Sequence, residues 1–457
     1  MVPPVAPLPY CVIGAGPAGL AAVKNFLHRG IPVLGLERED DVGGNWYFGK
    51  RSSSVCHSTH LISSKRMSEY PDFPMPKEYP PYPSHAQALE YLRRYADRFG
   101  LRDHYRFRTT VTHVEPAAGD TWLVTTDDGR EPYRVQGVVV ASGHHWDPRW
   151  PELPGSFSGT LMHSRDYKTP EVLAGRRVLV IGAGNSGCDL AVEAAQHAQA
   201  AFLSIRRGYH FLPKFLLGTP IDSGGEWLRR HGVPLRLIRL WTRLLVHVAH
   251  GAPERYGLPR PDHQLFQTHP IVNSQLLYHV GHGRIQVVGP VEQLCGDHVR
   301  FAGGRNESID LILCATGFRV SFPFLPPGLA PDDSGQLNLY LHAFHPTHDN
   351  FFVAGLIQPN SGLWPLADYQ TRVMAAFVAA QQLAPATADW FRRLKAQPNP
   401  DLGHGIVFDS SPRHRMEVEY YSYRERLRRL LARFDRDLPA EATPLRVLAP
   451  RLAPAPG

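Results

Sequence analysis

Residues 157–187 read FSGTLMHSRDYKTPEVLAGRRVLVIGAGNSG, and two patterns stand back to back in them. The second decides the fold. Residues 177–181 form an apolar, β-branched run that ends in Gly182, Gly184 and Gly187, a G-x-G-x-x-G. A stretch with helical character follows over 189–198, then a second apolar run over 201–205. Strand, glycine loop, helix and strand make a dinucleotide-binding unit. The first glycine permits the tight turn, the second lets the backbone approach a pyrophosphate, and the third lets helix and strand pack closely. Amides at the start of the helix, around Asn185 and Ser186, then face the phosphates. The first pattern is the spaced cluster Phe157, Gly159, His163 and Tyr167, which runs straight into this unit.

The same unit opens the chain. An apolar run over 10–13 leads into Gly14-Ala15-Gly16-Pro17-Ala18-Gly19, a helix is expected over 20–29, and a strand over 32–36 ends at Glu37. The acid lies 23 positions after Gly14. At that spacing a carboxylate meets a ribose 2′-hydroxyl. The second unit ends differently, in Ser204-Ile205-Arg206-Arg207. An acid repels a 2′-phosphate, whereas a hydroxyl and guanidinium groups bind it. The first loop therefore suits FAD or NAD and the second NADP. The bland alternative for Arg206 and Arg207 is solvated surface charge.

Composition sets the outer bounds. The chain has 457 residues, enough for two or three domains, with 43% hydrophobic and 20% charged residues, as in an ordinary globular protein. Its net charge of +7 favours anionic ligands. No basic cluster is interleaved with a recognition motif, so nucleic acid is not expected as a partner. Cys11, Cys56, Cys188, Cys295 and Cys314 form no C-x-x-C pair. That argues against a disulfide framework and for a cytoplasmic setting. The first ten residues lack the basic start and apolar core of a signal peptide, and no uncharged run approaches a membrane span. Scattered histidines, among them His144-His145, offer no convincing metal-ligand set.

Between and after the two units, Gly43-Gly44-Asn45-Trp46 suits a loop passing close to a large planar ligand. Residues 51–85 are polar and turn-rich, a kind of long irregular segment that is often functional. A helix is expected over 87–99 and strands over 105–114, 121–126 and 136–141. Residues 234–250 are apolar with Arg236, Arg239 and Arg243 along one face. Such a helix either lies on a membrane or, as expected here, covers a pocket with its arginines in water. Strands are expected over 285–288, 311–315 and 350–354, a helix from Asp368, and an amphipathic helix over 423–434. Residues 439–457 read as a loose Pro- and Ala-rich tail.

In this order, the residues resemble the flavin-containing monooxygenases. Phe157, Gly159, His163 and Tyr167 match that family's F-x-G-x-x-x-H-x-x-x-[FY] fingerprint, and Ala315-Thr316-Gly317-Phe318 is similar to its A-T-G-[YF] strand end. Both glycine loops, Gly43-Gly44-x-Trp46 and Ser204-x-Arg206 also match, so the resemblance covers about residues 9 to 380. Related Baeyer–Villiger enzymes carry Trp with Pro or Asp at the end of the fingerprint; Tyr167-Lys168 favours the first family. The resemblance implies an α/β fold of two Rossmann-like domains, the NADP domain inserted into the FAD domain. The expected divisions are 1–156 and 311–438 for FAD and 157–310 for NADP. It further implies FAD contacts at Gly14, Gly16, Pro17, Ala18, Gly19, Glu37, Gly44, Asn45, Trp46, Val111, Gly317 and Gln358. NADP contacts are implied at Gly182, Gly184, Asn185, Ser186, Gly187, Ser204, Arg206, Arg207 and His163, with His163 fixing the connector between domains rather than giving a proton.

One departure stands in the flavin-facing loop, Ile62-Ser63-Ser64-Lys65. Members of the family often carry Asn where Ile62 stands, and Ile cannot hydrogen-bond there. Either Ser63, Ser64 or the nicotinamide then supplies the polar contact, or the oxygenated flavin is less well protected. The implied reaction takes NADPH, O₂ and a soft nucleophile, a nitrogen or sulfur of a small molecule, through a C4a-hydroperoxyflavin, with water excluded. Two other readings remain: an NADPH oxidase releasing H₂O₂, which Ile62 makes credible, and a nucleotide-binding sensor without turnover. A disulfide reductase is excluded for want of a redox cysteine pair. A homodimer is compatible with the sequence, and the substrate is not named by any motif.

Overall fold

The computed structural model describes residues 7–269, 271–332, 335–409 and 414–439; the expected tail, save Pro439, lies outside them. Two five-stranded parallel sheets organise the chain. In the first the order is Phe351–Val353, Gly137–Val140, Tyr10–Ile13, Val33–Leu36, Tyr105–Arg106. In the second it is Thr160–His163, Leu311–Cys314, Arg177–Ile181, Ala200–Ser204, Ile285–Val288. The plans match. In each sheet the glycine-loop strand lies at the centre, the next strands build to one side, and a later strand returns beside it on the other; the edge strand on that side is the last of the first sheet but the first, Thr160–His163, of the second. The reversal opens a crevice at the carboxyl ends of the strands beside the loop.

The strands are apolar along their length because both faces are covered. Alternate residues serve opposite cores. Tyr10 and Val12 pack with helices Pro17–His28 and Trp364–Leu383 in one core, while Cys11 and Ile13 face Trp122 and Val124 of the meander Val111–Ala117, Thr121–Thr126, Tyr133–Val135. In the second sheet Val178 and Val180 meet helix Asn185–His197, and Leu179 meets Phe202, Val299 and Phe301 on the other face. All five cysteines are free, with Cys11, Cys188 and Cys314 buried.

Helix Pro17–His28 is tied to helix Trp364–Leu383 by a buried ionic knot. Lys24 Nζ lies 2.8 Å from Asp368 Oδ1 and 2.5 Å from Asp72 Oδ2, and Asn25 Nδ2 donates to Asp368 Oδ1 at 3.0 Å. Burial alone would raise the Asp368 carboxyl; Lys24 and Arg372 override it and hold it below the usual range. Removing one partner strands a charge in the core. Lys24→Met is therefore expected to destabilise the protein by about 3 kcal/mol in urea unfolding of the FAD-bound form.

Several expected boundaries move. Both glycine-loop helices begin earlier than expected, at Pro17 and Asn185, so the loops run directly into them. The helix expected from Asp368 starts at Trp364 with Pro365 in its first turn, where a missing N–H is no loss. Residues 105–114 are not one strand. Arg108 takes a left-handed φ of 54°, which ends Tyr105–Arg106 on the first sheet and lets Val111–Ala117 start the meander. The division expected at residue 311 is corrected by pairing: Leu311–Cys314 hydrogen-bonds between Thr160–His163 and Arg177–Ile181, so it belongs to the second sheet. The strand that returns to the first sheet is Phe351–Val353.

Helix Leu235–His250 borders a cavity as expected, but with only part of its apolar side. Leu237, Leu240, Trp241, Leu244 and Val248 are exposed while Ile238 is buried, so most of its apolar side is not a cover. Leu240 and Leu244 border a cavity of about 600 Å³ that Phe211, Leu265 and Leu277 also line. No helix among the described residues is long and apolar enough to cross a membrane, and no group of metal-ligating side chains is found among them.

Candidate functional site

The two glycine loops have the same local build. Gly14 has φ +107° and Gly182 φ +105°, and a Cβ on either would lie 2.7 Å from a backbone oxygen, that of Ala141 or Ala315. Those carbonyls follow the strand across the reversal, so each loop sits at the crevice. A Cβ on Gly19 would fall 1.9 Å from Gly14 O, and one on Gly187 1.9 Å from Gly182 O. These four positions demand glycine. Gly16 and Gly184 are the N-caps, and neither helix has a side-chain cap. The first-turn amides of Ala18, Gly19, Ser186 and Gly187 thus have no partner within their helices, as an anion site requires.

Around the first loop three other segments converge. Gly43 N donates to Ala15 O at 3.0 Å, and Gly44 (φ +53°) approaches so closely that a Cβ on it would sit 2.8 Å from Gly16 Cα. Gly355 (φ +77°) lies against Ala18. Glu37 is buried at the end of its strand; its Oε2 accepts from Ala15 N at 2.6 Å and its Oε1 from Glu39 N at 2.9 Å. Burial raises its carboxyl above the usual range, against the pull of those two amides. Each oxygen keeps a lone pair for a hydroxyl. Thr109 N donates to Glu37 O at 2.9 Å, which brings the buried Val111 close. Trp46 stands edge-on to Trp364, ring centres 5.7 Å apart.

Ser142 Oγ and Ser361 Oγ, from segments that flank this region, are buried without a hydrogen-bond partner. Orphaned polar atoms beside a backbone-only slot are what a polar ligand would satisfy, so these residues fit a dinucleotide. Two expected contacts are weakened. Asn45 Oδ1 already accepts from Ser54 N and Ser54 Oγ, leaving only its amide N–H groups. Gln358 is half-buried and pairs through its backbone with Met416 O.

At the second loop the basic pair divides. Arg206 is exposed at the end of strand Ala200–Ser204. Arg207 is not the free cation that the sequence suggests: it lies 2.8 Å from Asp262 and 2.9 Å from Asp409. Ser204 is buried and its hydroxyl donates to Gly289 O at 2.9 Å, so only a lone pair remains. Asn185 is turned inward as well, accepting from Val272 N at 2.8 Å. Nothing local in the sequence signals these partners, which lie 55, 202, 85 and 87 positions away.

The fingerprint residues form the crossing between the sheets. Asp147–Pro148 pairs antiparallel with Phe318–Arg319, so the two passages of the chain run side by side. His163 is fully buried and its Nε2 lies 3.1 Å from Gly317 O, while its Nδ1 accepts from Arg165 N at 3.1 Å. With Nδ1 accepting, Nε2 carries the proton and donates. Burial lowers the imidazole pKa, opposed by the Gly317 carbonyl. His163 is therefore a neutral clasp with both nitrogens used, and the expected contact with a nucleotide is not available to it. Gly317 belongs to this crossing, directly after a strand of the second sheet.

The loop expected to face the flavin has Ile62 at its surface, 37% exposed. Ser63 Oγ is 2.8 Å from Ser68 Oγ; Ser64 N donates to Asp222 Oδ2 at 2.7 Å. Residues 51–85 join the two sheet domains at other points too. Lys168 Nζ donates to Ser53 O at 2.9 Å, and Tyr82 OH to Lys214 O at 2.5 Å.

The chain matches the Flavin-binding monooxygenase-like family over residues 9–433. It is 33% identical over 441 residues to human flavin-containing monooxygenase 5, covering 91% of this chain and 81% of that one. With the rhesus dimethylaniline monooxygenase [N-oxide-forming] 2 it shares 33% identity over 388 residues, 79% and 71% of the two chains. Among solved structures, an oxidised steroid monooxygenase bound to NADP has the same fold (TM-score 0.69, 19% identity, covering 95% of this chain and 99% of that one). From the paired glycine loops, the clasped crossing and these likenesses it follows that the chain belongs to the flavin-binding monooxygenase-like family and is an FAD- and NADPH-dependent monooxygenase.

Proposed function

We propose that the protein oxygenates a soft nucleophile, a nitrogen or sulfur atom of a small molecule, with FAD held at the first loop and NADPH at the second. The observation that carries the assignment of sites is the contrast between the strand ends. The first presents the buried carboxylate of Glu37, the second the exposed guanidinium of Arg206. The N-oxide-forming relative supports nitrogen as one acceptor atom. Bound flavin supplies hydride acceptance and O₂ activation. The chain's part is to bind and orient. Gly14, Gly16 and Gly19 admit the pyrophosphate, Gly43-Gly44 closes over it, and helix amides neutralise its charge. Ser186 and Gly187 do the same for NADPH, with Arg206 on its 2′-phosphate. The His163–Gly317 bond fixes how the two sites face each other.

A leak to H₂O₂ is the second reading, favoured by one observation: Ile62 is apolar, and Ser63 and Ser64 are tied to other groups. Steady-state assays with a thioether, a tertiary amine and a cyclic ketone decide. Faster NADPH oxidation with thioether or amine, and product in step with NADPH used, is the expected result. NADPH use that ignores all three and ends in peroxide would defeat the proposal.

A further inference from the structure

Asp222 lies in the first turn of helix Ile221–Arg230, part of the segment inserted between the two passages of the chain. That turn is a favourable place for an acid, since the helix N-terminus is positive. Its Oδ2 accepts the Ser64 backbone N–H at 2.7 Å, a bond bridging 158 positions of sequence, and Ser223 Oγ lies 3.4 Å from Ser64 Oγ. Oδ1 of the same carboxyl is buried and has no hydrogen-bond partner. Ser64 caps the short helix Lys65–Ser68, so Asp222 holds the point where the loop turns.

The polar groups on this loop are few. Ile62 has none, Ser63 Oγ is within bonding distance of Ser68 Oγ, and Ser64 is bound to Asp222 and Ser223. A buried, unpaired carboxyl oxygen costs stability, so the clamp on Ser64 is held against a cost. Burial also raises its carboxyl above the usual range, while bonds from Ser64 and Ser223 lower it.

We propose that Asp222 is a positioning residue of the monooxygenase reaction: from the inserted domain it fixes loop 62–65 by holding the Ser64 amide. The inference rests on the proposed function in taking loop 62–65 to face the flavin. Its role is to keep the oxygen-transfer region closed and ordered, so that reducing equivalents reach substrate rather than peroxide.

Two readouts on the FAD-loaded enzyme test it. The first is trypsin cleavage after the exposed Arg66, two residues from Ser64. Asp222→Ala should speed it at least fivefold, and Asp222→Asn, which keeps an oxygen for the Ser64 amide, by less than twofold. The second is the fraction of NADPH recovered as H₂O₂ with a thioether present. That fraction should rise at least threefold in Asp222→Ala, with KM for NADPH changed less than twofold. Unchanged cleavage in Asp222→Ala would overturn the clamp. Faster cleavage without more peroxide would overturn the role in the reaction. The proposed function is judged separately, by product formation in the unsubstituted enzyme.

Discussion

Gly19→Ala is expected to yield a folded protein that no longer retains FAD, while Gly187→Ala keeps its FAD and loses its response to NADPH. The two substitutions add the same methyl group at the same place in the same motif. In each the new Cβ would lie 1.9 Å from a carbonyl oxygen of the loop, Gly14 O in one case and Gly182 O in the other. Neither oxygen is the end of a flexible side chain, so the loop backbone must move away from the helix. That movement spoils the close approach of the loop to a pyrophosphate. A loss of about 3 kcal/mol, more than 100-fold in affinity, is reasonable for a displaced phosphate cradle. The flavin-to-protein ratio after desalting reads the first outcome. Anaerobic flavin reduction by NADPH reads the second. Retention of flavin in Gly19→Ala at the unsubstituted ratio would place FAD elsewhere.

Arg206→Ala is expected to lower kcat/KM for NADPH about 30-fold while changing that for NADH less than threefold. A charge-assisted bond to the 2′-phosphate is worth about 2 kcal/mol, and NADH has no such phosphate. Arg207 should behave differently. It is held by Asp262 and Asp409 from two distant segments, and Asp409 N donates to Gln267 O at 2.9 Å in the same contact. Arg207→Ala should therefore loosen that contact and affect the two cofactors alike. Equal discrimination by both variants would mean that the ion pairs of Arg207 open when the cofactor binds.

The plan of the fold was legible because it rests on short-range patterns. Glycine triplets at a strand end, followed by helix and strand, occur within about thirty residues, and the backbone needs at those glycines are local. The β-branched runs that became central strands are readable for the same reason. Sheet membership was not. Residues 311–314 look the same whichever parallel sheet accepts them, since both bury four apolar residues. Only the partner strands at 160–163 and 177–181 decide.

At the site, the glycines and Glu37 could be found by spacing, whereas the state of the polar side chains could not. Ser204, Asn185, Arg207 and Asn45 have the right chemistry and position in sequence, yet each is bound to another part of the chain. Those partners come from loops with no periodic signal. His163 shows the reverse: the fingerprint located it, and the structure supplied the reason, a hydrogen bond that joins two crossings of the chain. Asp222 was missed altogether. It carries no motif, and only the folded chain brings it to Ser64.

Reducing power from NADPH is expected to place one atom of O₂ on a soft nitrogen or sulfur. The direct measurement is turnover of a thioether or tertiary amine under ¹⁸O₂ in unlabelled water, with the product analysed by mass spectrometry. One ¹⁸O per product molecule and one NADPH consumed for each is the predicted result. Unlabelled product, or NADPH consumed with all of the label in H₂O₂, would contradict it.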